Sequence, residues 1–311
     1  DETLGAATAP GPTALAVDGS GRLWATSPRG VFVEQQGTVR PANDLPPGAA
    51  RALAVRGDMV SVAHEAGVFV ARDAAPFRRV SERGDVDRIA MAPDGRLWLL
   101  ARDGTLLVVD PTRAADRVVA TVPGSPEIFG LAARVDDVVL ATSQGLLRST
   151  GGPLEPLPIA GRETTAMTTT VHADDDGRLW VGTSFEGVIK LRARRVVRTW
   201  PAETNLGRSA AFAVTTDPSG RVYATLGSAL LRIDEGRATT IDLAQKVEVY
   251  ATRGVAVAPD GGVWIGTLGE GIVRLDPSGA ARRFGVREGL RHGETPSVFV
   301  DPRGTVIVRY T

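Results

Sequence analysis

Three histidines and a run of aspartates are the residues of this sequence best suited to metal or acid–base chemistry. The histidines are His64, His172 and His292, and His172 lies just before the run Asp174–Asp176. Imidazole and carboxylate groups bind Ca²⁺ or a catalytic metal when they converge in the fold. The aspartate run also fits the turn pattern Asp-x-x-Gly, in which a carboxylate bonds its own backbone. We expect a turn at this position rather than a metal site.

Composition and the absence of known motifs exclude several further classes of chemistry and partner. The sequence has no Cys, which excludes disulfides, thiolate catalysis and Cys-ligated zinc, and it contains no P-loop, GxSxG or HExxH motif. Lys+Arg and Asp+Glu both number 36, so bulk charge gives no reason to expect nucleic acid or a membrane surface as partner. No apolar run approaches the roughly 18 residues that span a bilayer. We therefore predict no cofactor, no bound metal, no nucleic-acid partner and no membrane insertion.

These residues lie within or between copies of a sequence motif that recurs along the chain. The motif consists of a polar turn, a short strand that often carries Trp, a second turn with Gly, and a further strand. The best copies are Asp174–Thr183 and Asp260–Thr267. Successive copies are roughly 36 to 43 residues apart, which is the period of propeller blades. The Trp position is occupied in order by Trp24, Val60, Trp98, Val139, Trp180, Tyr223, Trp264 and Ile307.

Each repeat predicts four short strands, A to D, of which A is rich in small residues, B holds the Trp position, C follows the Gly turn and D is polar. The predicted fold is all-β, a single β-propeller domain of four-stranded blades over residues 1–311. Residues 14–285 hold seven complete repeats, and 296–311 supply a terminal hairpin with only A and B. Because a ring leaves no free edge only if this hairpin is completed, we expect residues 1–13 to close it. Eight blades are thus favoured and seven are the alternative.

The five tryptophans and Tyr223 have two interpretations. A row of aromatic rings could form a stacking platform for a ligand. Placing all five tryptophans at the same repeat position instead favours large rings that fill the space between neighbouring sheets. We expect packing.

The junction Arg283–Leu290, the following Val298–Gly304 and the phrase Asp-x-x-Gly-x-Leu/Val-Trp-Val/Ile-Gly-Thr resemble the two-component regulator propeller repeat of bacterial extracytoplasmic sensor domains. The resemblance implies a ligand-sensing or protein-interaction domain, periplasmic or secreted, although no kinase or DNA-binding module is present. A chain that begins at Asp1 rather than Met fits an exported or excised domain. The sequence is more distantly similar to streptogramin B lyases and lactonases, which implies a metal-assisted lyase or lactonase acting in the central channel as the alternative. It lacks the Trp-Phe-Thr-Glu strand of those lyases.

A binding site is expected where the B–C turns and the D–A loops meet at the mouth of the channel, because these loops vary without disturbing the sheets. We predict a polar small molecule or a protein partner there, bound without catalysis. The B–C candidates are His64, Glu65, Arg102, Asp103, Gln144, Phe185, Glu186 and Glu270. The D–A candidates include Arg208, Tyr250, Arg253, Arg291 and His292.

Overall fold

The computed structural model describes residues 13–35, 38–73, 75–113, 115–158, 167–174, 176–192, 195–200, 210–291 and 297–309. These residues form an all-β structure of seven four-stranded sheets and one two-stranded sheet, numbered here 1 to 8 along the chain. The strands of every four-stranded sheet are hydrogen-bonded in chain order, and neighbouring strands run antiparallel. This is the A–B–C–D order that the repeats predict.

The chain divides into two compact units. The first contains the residues up to Ser125 together with Leu131–Val139 and Arg148–Glu155, and the second contains Pro126–Gly130, Leu140–Leu147 and Pro156–Thr311. Sheets 1 to 3 therefore belong to the first unit and sheets 5 to 8 to the second, while sheet 4 contributes residues to both.

The strands of the first four sheets are short, and strand A of each is followed by the hairpin that carries strand B. Sheet 1 comprises β1 (Ala14–Val17), β2 (Leu23–Ser27), β3 (Gly30–Gln35) and β4 (Thr38–Pro41). Sheet 2 comprises β5 (Ala50–Arg56), β6 (Met59–His64), β7 (Gly67–Arg72) and β8 (Arg78–Ser81). Sheet 3 comprises β9 (Val86–Met91), β10 (Leu97–Ala101), β11 (Thr105–Asp110) and β12 (Ala115–Thr121). Sheet 4 comprises β13 (Ile128–Ala133), β14 (Val138–Thr142), β15 (Gly145–Ser149) and β16 (Glu155–Pro156).

The remaining sheets follow the same plan, and the last consists of a single hairpin. Sheet 5 comprises β17 (Thr168–Ala173), β18 (Leu179–Thr183), β19 (Val188–Arg192) and β20 (Arg195–Trp200). Sheet 6 comprises β21 (Ala211–Thr216), β22 (Val222–Leu226), β23 (Ala229–Asp234) and β24 (Arg237–Asp242). Sheet 7 comprises β25 (Thr252–Val257), β26 (Val263–Thr267), β27 (Ile272–Leu275) and β28 (Ala281–Phe284), and sheet 8 comprises β29 (Ser297–Val300) and β30 (Val306–Arg309).

Helical structure is confined to two short segments in the described part of the chain. Helix α1 (Leu243–Val247) follows strand β24 and begins at Asp242, whose side chain accepts a hydrogen bond from the Gln245 backbone N–H. A single 3₁₀ turn covers Val286–Glu288. Neither segment has the length and apolar character that a membrane crossing requires.

The predicted terminal hairpin is present as sheet 8, and within the second unit its strand β29 packs against strands β25 and β26 of sheet 7. The first strands of successive sheets also contact one another, β17 with β21 and β21 with β25. The same holds in the first unit for β1, β5 and β9. Of residues 1–13, which are expected to complete the last sheet, 1–12 lie outside the described residues. Thr13 instead donates its backbone N–H to the Thr26 carbonyl of strand β2 in sheet 1 at 2.7 Å, so the prediction is wrong for this residue.

The repeated aromatic residues pack between sheets, as expected. Trp180, 3% exposed, lies in a core cluster with Val222 and Ala224 from strand B of the next sheet. Tyr223 in turn packs with Val263 and other residues of sheet 7. Burial leaves Trp24, Trp98, Trp180 and Tyr223 unavailable as a ligand platform, whereas Trp264 is half-buried.

One tryptophan does not hold the repeat position. Trp200 lies at the end of strand D and stacks on Trp180 with 5.4 Å between ring centroids, so the prediction that all five share one position is wrong. Trp200 can contact Trp180 because strand D (β20) and strand B (β18) belong to the same sheet.

The aspartates of the A–B turns bond their own backbone. Asp174 accepts the Arg178 backbone N–H at 2.8 Å and the Trp180 indole N–H at 3.0 Å. The turn interpretation of this segment is confirmed for Asp174, while Asp175 lies outside the described residues.

The glycine that precedes strand C of sheet 7 is required by close packing. Gly271 has a φ of 83°, and a Cβ atom there would lie 2.1 Å from the carbonyl oxygen of Phe284 in strand D. A side chain would push strand D away from the B–C turn. Glycine therefore keeps that turn close to its sheet.

Candidate functional site

A repeated hydrogen bond holds the B–C turn of most four-stranded sheets beside the segment that leads into strand A. The Ser184 backbone N–H donates to the Met167 carbonyl at 3.0 Å, and the Leu268 N–H donates to the Ala251 carbonyl at 3.0 Å. Sheet 2 has the same bond from Glu65. The B–C turn and the D–A loop of a sheet therefore lie side by side at one end, called here the loop end of that sheet.

His64 lies at the loop end of sheet 2 but does not face solvent. It is the last residue of β6 and is 1% exposed, and its ring packs edge-on against Phe69 with 5.9 Å between centroids. Its Nδ1 atom accepts the Ala66 backbone N–H at 3.0 Å. His64 thus shapes the turn, and of this pair only Glu65 is exposed.

Arg102, at the loop end of sheet 3, is already engaged by a carboxylate. Its Nε atom lies 3.1 and 3.2 Å from the two oxygens of Asp87. Nearby, Arg83 bonds Asp85 at 2.8 Å and Asp103 at 3.0 Å, and hydrogen bonds with these aspartates raise its pKa. The charges of these two arginines are therefore paired with aspartate carboxylates of the same structure.

Asp103 is the most strongly perturbed member of this cluster. Hydrogen bonds from Thr105 and Arg83 lower the pKa of its exposed carboxyl to about 2. The carboxylate is therefore ionised throughout the neutral range and stays paired with Arg83. The loop end of sheet 3 therefore carries paired charges rather than an open charged site.

Buried threonines fix the B–C turns that carry the other candidates. The backbone N–H groups of Gln144, Glu186 and Glu270 donate to the hydroxyls of Thr142, Thr183 and Thr267 at 3.1, 2.9 and 3.2 Å. Each of these hydroxyls also donates to the carbonyl of the glycine that ends its turn. The turns therefore hold a defined conformation from which their side chains project.

The second unit exposes large apolar side chains at its loop ends. Tyr250 is 72% exposed, Phe185 61%, Val286 60% and Met167 36%. Phe185 lies in a B–C turn, and the other three lie on connections between strand D and the next strand A. Ser184, beside Phe185, also buries a hydroxyl that has no partner among the described residues.

Contrary to the expectation from the sequence, Arg253 does not lie in a D–A loop. It is the second residue of strand β25 rather than a loop residue, and its Cζ atom lies 3.7 Å from the centroid of the Phe212 ring. Arg291 is exposed, whereas Arg208 and His292 lie outside the described residues. Phe212 was missed because it sits in a strand predicted only as small-residue packing.

His172, the metal-ligand candidate, is half-buried in strand β17. Its Nε2 atom lies 3.4 Å from the Thr216 hydroxyl, which belongs to the neighbouring strand β21. In the described part of the chain no three His, Asp or Glu side chains gather as a metal-binding group. Asp174 is committed to its turn.

Comparison with known proteins supports the fold. No protein-family model matches the chain, and a search of curated proteins found no match. Among solved structures, the extracellular domain of the hybrid two-component system BT3049 from B. thetaiotaomicron matches 97% of this chain with a TM-score of 0.50 and 14% identity. The match spans 44% of that domain, so the chain is less than half its length.

Two further structures match with most of their own length. Virginiamycin B lyase from Staphylococcus aureus has a TM-score of 0.59 at 11% identity, covering 80% of this chain and 88% of the lyase. YCF48 bound to D1 peptide has a TM-score of 0.56 at 13% identity, covering 82% of this chain and 89% of YCF48. At these identities the likeness concerns the fold alone.

Proposed function

We propose that this chain is a non-catalytic β-propeller that binds a segment of a partner protein at the loop ends of its second unit. The observation that carries the proposal is the exposure of Phe185, Tyr250, Val286 and Met167 there. Leaving large apolar side chains in water forgoes about 25 cal/mol for each Å² that a partner could cover. Aromatic and methionine side chains are also the residues that interfaces favour.

The location of the exposed residues distinguishes this end from other surfaces. The other large hydrophobic residues exposed in the described chain are Val118 and Val135, both in the first unit. Val118 lies in strand D and Val135 in an A–B turn, so neither is at a loop end. Isolated exposed residues of this kind need no partner. The second unit is therefore the better candidate.

A peptide segment suits this surface better than a polar small molecule. The apolar side chains stand on separate loops, so an extended chain could contact several of them in succession. The similarly folded YCF48 was solved with a D1 peptide bound, which supports a peptide as the class of ligand for this fold. A polar small molecule is the alternative occupant.

We place this function in the setting implied by the two-component regulator propeller resemblance. The similarity to extracellular domains of two-component systems supports an extracytoplasmic sensor or interaction domain. We further propose that the repeats form one propeller of eight blades, with residues 1–12 completing the last. Both are proposals about the whole chain.

The metal-assisted lyase or lactonase remains the second candidate because lyase structures match most of the chain. It predicts chelator-sensitive ring opening of a lactone or cyclic ester. The peptide proposal predicts binding without turnover.

A peptide-display selection tests the proposal. The 311-residue chain would be panned against a random peptide library, and the selected peptides would be measured on a double variant, Phe185→Ala with Tyr250→Ala. We expect affinity to fall at least about tenfold, since truncating two aromatic contacts removes more than 1.4 kcal/mol. The melting temperature should barely change because both residues are exposed.

The matched control is Val118→Ala with Val135→Ala, which removes the two exposed hydrophobic residues outside the loop ends. These substitutions should leave the affinity of the selected peptides unchanged. Selection that yields no binder, or binders equally affected by both double variants, would overturn the proposal.

A further inference from the structure

The second unit holds a half-buried arginine that lacks a carboxylate partner among the described residues. Arg253 lies over the Phe212 ring at 3.7 Å, and its Nη1 atom donates to the Thr252 carbonyl at 3.1 Å. Both side chains are half-buried. A guanidinium has five N–H donors, and one of them is accounted for by this bond.

Three other arginines of low exposure are each paired with an aspartate. The Arg22 side chain, 14% exposed, bonds Asp18 at 2.6 Å, and the Arg83 side chain, 30% exposed, bonds Asp85 at 2.8 Å. Arg134, 13% exposed, pairs with Asp137. Partial burial of a guanidinium is thus matched by an aspartate in these cases. Arg253 departs from that pattern.

The stacking on Phe212 prepares Arg253 to bind an anion. A guanidinium lying on an aromatic face is held by attraction to the ring, and its N–H groups point outward in its own plane. A carboxylate accepts two such N–H groups side by side. Because the ring restricts the side chain beforehand, less conformational entropy is lost on binding.

Desolvation supports the same conclusion. Burial lowers the pKa of Arg253 below its ordinary value, and no carboxylate among the described residues offsets this effect. The group remains protonated at neutral pH, so it carries a positive charge that is incompletely hydrated. An arriving anion would restore the lost stabilisation.

We infer that Arg253, stacked on Phe212, anchors a carboxylate of the bound partner segment. The inference rests on the proposed function and specifies the chemistry of the partner. The carboxylate belongs either to an Asp or Glu side chain or to the C-terminus of the segment. Both sources present the same two oxygens to the guanidinium.

Titration of the ¹⁵N-labelled full chain with capped amino acids tests this inference. The Arg253 Nε–H resonance would be assigned from its absence in the spectrum of Arg253→Gln. N-acetyl-glutamate amide and N-acetyl-glycine represent the side-chain and terminal carboxylates, and N-acetyl-glutamine amide is the neutral control. We expect a saturable shift of that resonance with at least one carboxylate and none with the neutral control.

Arg102 is the matched internal control because Asp87 already occupies its Nε–H. Its resonance, assigned with Arg102→Gln, should not move. Peptides from the display selection should bind Arg253→Gln about 10- to 100-fold more weakly, the range for losing a charge-assisted hydrogen bond. Arg102→Gln should bind them as the unmodified chain does.

The two proposals can fail separately. An Arg253 resonance that stays fixed to the solubility limit of both carboxylates, or shifts equally with the glutamine analogue, would overturn the anion site. Selected peptides that depend on Phe185 and Tyr250 but contain no required carboxylate would overturn it too, while leaving the proposed function intact. Carboxylate binding without any selected peptide would contradict the proposed function alone.

Discussion

The indole N–H of Trp24 donates a 2.8 Å hydrogen bond to the Oδ2 atom of Asp18, across the A–B turn of sheet 1. Trp180 makes the same bond to Asp174 in sheet 5. In sheet 3 the equivalent acceptor position holds Ala92, and the buried Trp98 indole N–H has no partner among the described residues. A buried donor without an acceptor costs about 1 to 3 kcal/mol.

Supplying the missing acceptor should stabilise sheet 3. The double variant Ala92→Asp with Asp94→Ser copies the Asp18–Ser20 turn and avoids two adjacent carboxylates. We expect the free energy of unfolding in urea to rise by about 1 kcal/mol, and exchange of the Trp98 indole proton to slow. Asp94→Ser alone is the control. A double variant less stable than this control would show that the buried carboxylate is not accommodated.

Acid should weaken the A–B turns. Burial would by itself raise the pKa of Asp18, but hydrogen bonds from Trp24, Ser20 and Arg22 outweigh it and lower the pKa below 3.8. A carboxyl with a depressed folded pKa stabilises the fold above its unfolded pKa and loses that contribution as the pH falls through the folded value. Stability should therefore decline below pH 3.8. Asp18→Asn should flatten this part of the curve in urea titrations, and an unchanged slope would argue against Asp18.

Removing a packed tryptophan should be costly. Trp180→Ala is expected to lower the free energy of unfolding by roughly 3 to 5 kcal/mol, because the ring is buried and stacked on Trp200. Trp264 is only half-buried, so Trp264→Ala should cost less. Urea denaturation of the two variants provides the comparison. Equal or negligible losses would contradict packing as the role of these rings.

Deleting residues 1–9 tests closure of the terminal hairpin. If this segment adds a strand to sheet 8, its removal should leave a free edge beside β30 and promote dimerisation or aggregation. Light scattering coupled to size exclusion would detect the change. A truncated chain that stays monomeric with unaltered stability would count against closure by the N-terminal segment.

Chelation separates the binding proposal from the lyase alternative. A metal held by the folded state raises apparent stability through mass action, so its removal would lower the melting temperature. We expect EDTA to leave both the melting temperature and peptide affinity unchanged. Chelator-sensitive hydrolysis of a lactone that is lost in His172→Ala would favour the alternative.

Much of the fold could be predicted because it depends on local pattern. The spacing of Trp24, Trp98 and Trp180 indicated the repeat, and alternating side chains with Gly-bearing turns indicated the strands. Asp174 could be assigned to a turn because its partners, the Arg178 backbone and the Trp180 indole, are its near neighbours in sequence. Interactions within one hairpin join residues that are close in sequence, so a short stretch of sequence is enough to predict them.

The state of the candidate site depended on contacts between residues distant in sequence. The sequence presents both Arg102 and Arg253 as candidate loop residues at the channel mouth. In the structure Arg102 is paired with the Asp87 carboxylate, whereas Arg253 lies over the Phe212 ring. His64 was expected on the rim and is instead buried beside Phe69. Whether a loop side chain is paired, buried or exposed is decided by the neighbouring strands and sheets that pack against it. The sequence alone therefore determined the repeat, the strands and their turns. Only the tertiary structure distinguished loop side chains that are paired or buried from those that are exposed, because that depends on packing between residues distant in sequence.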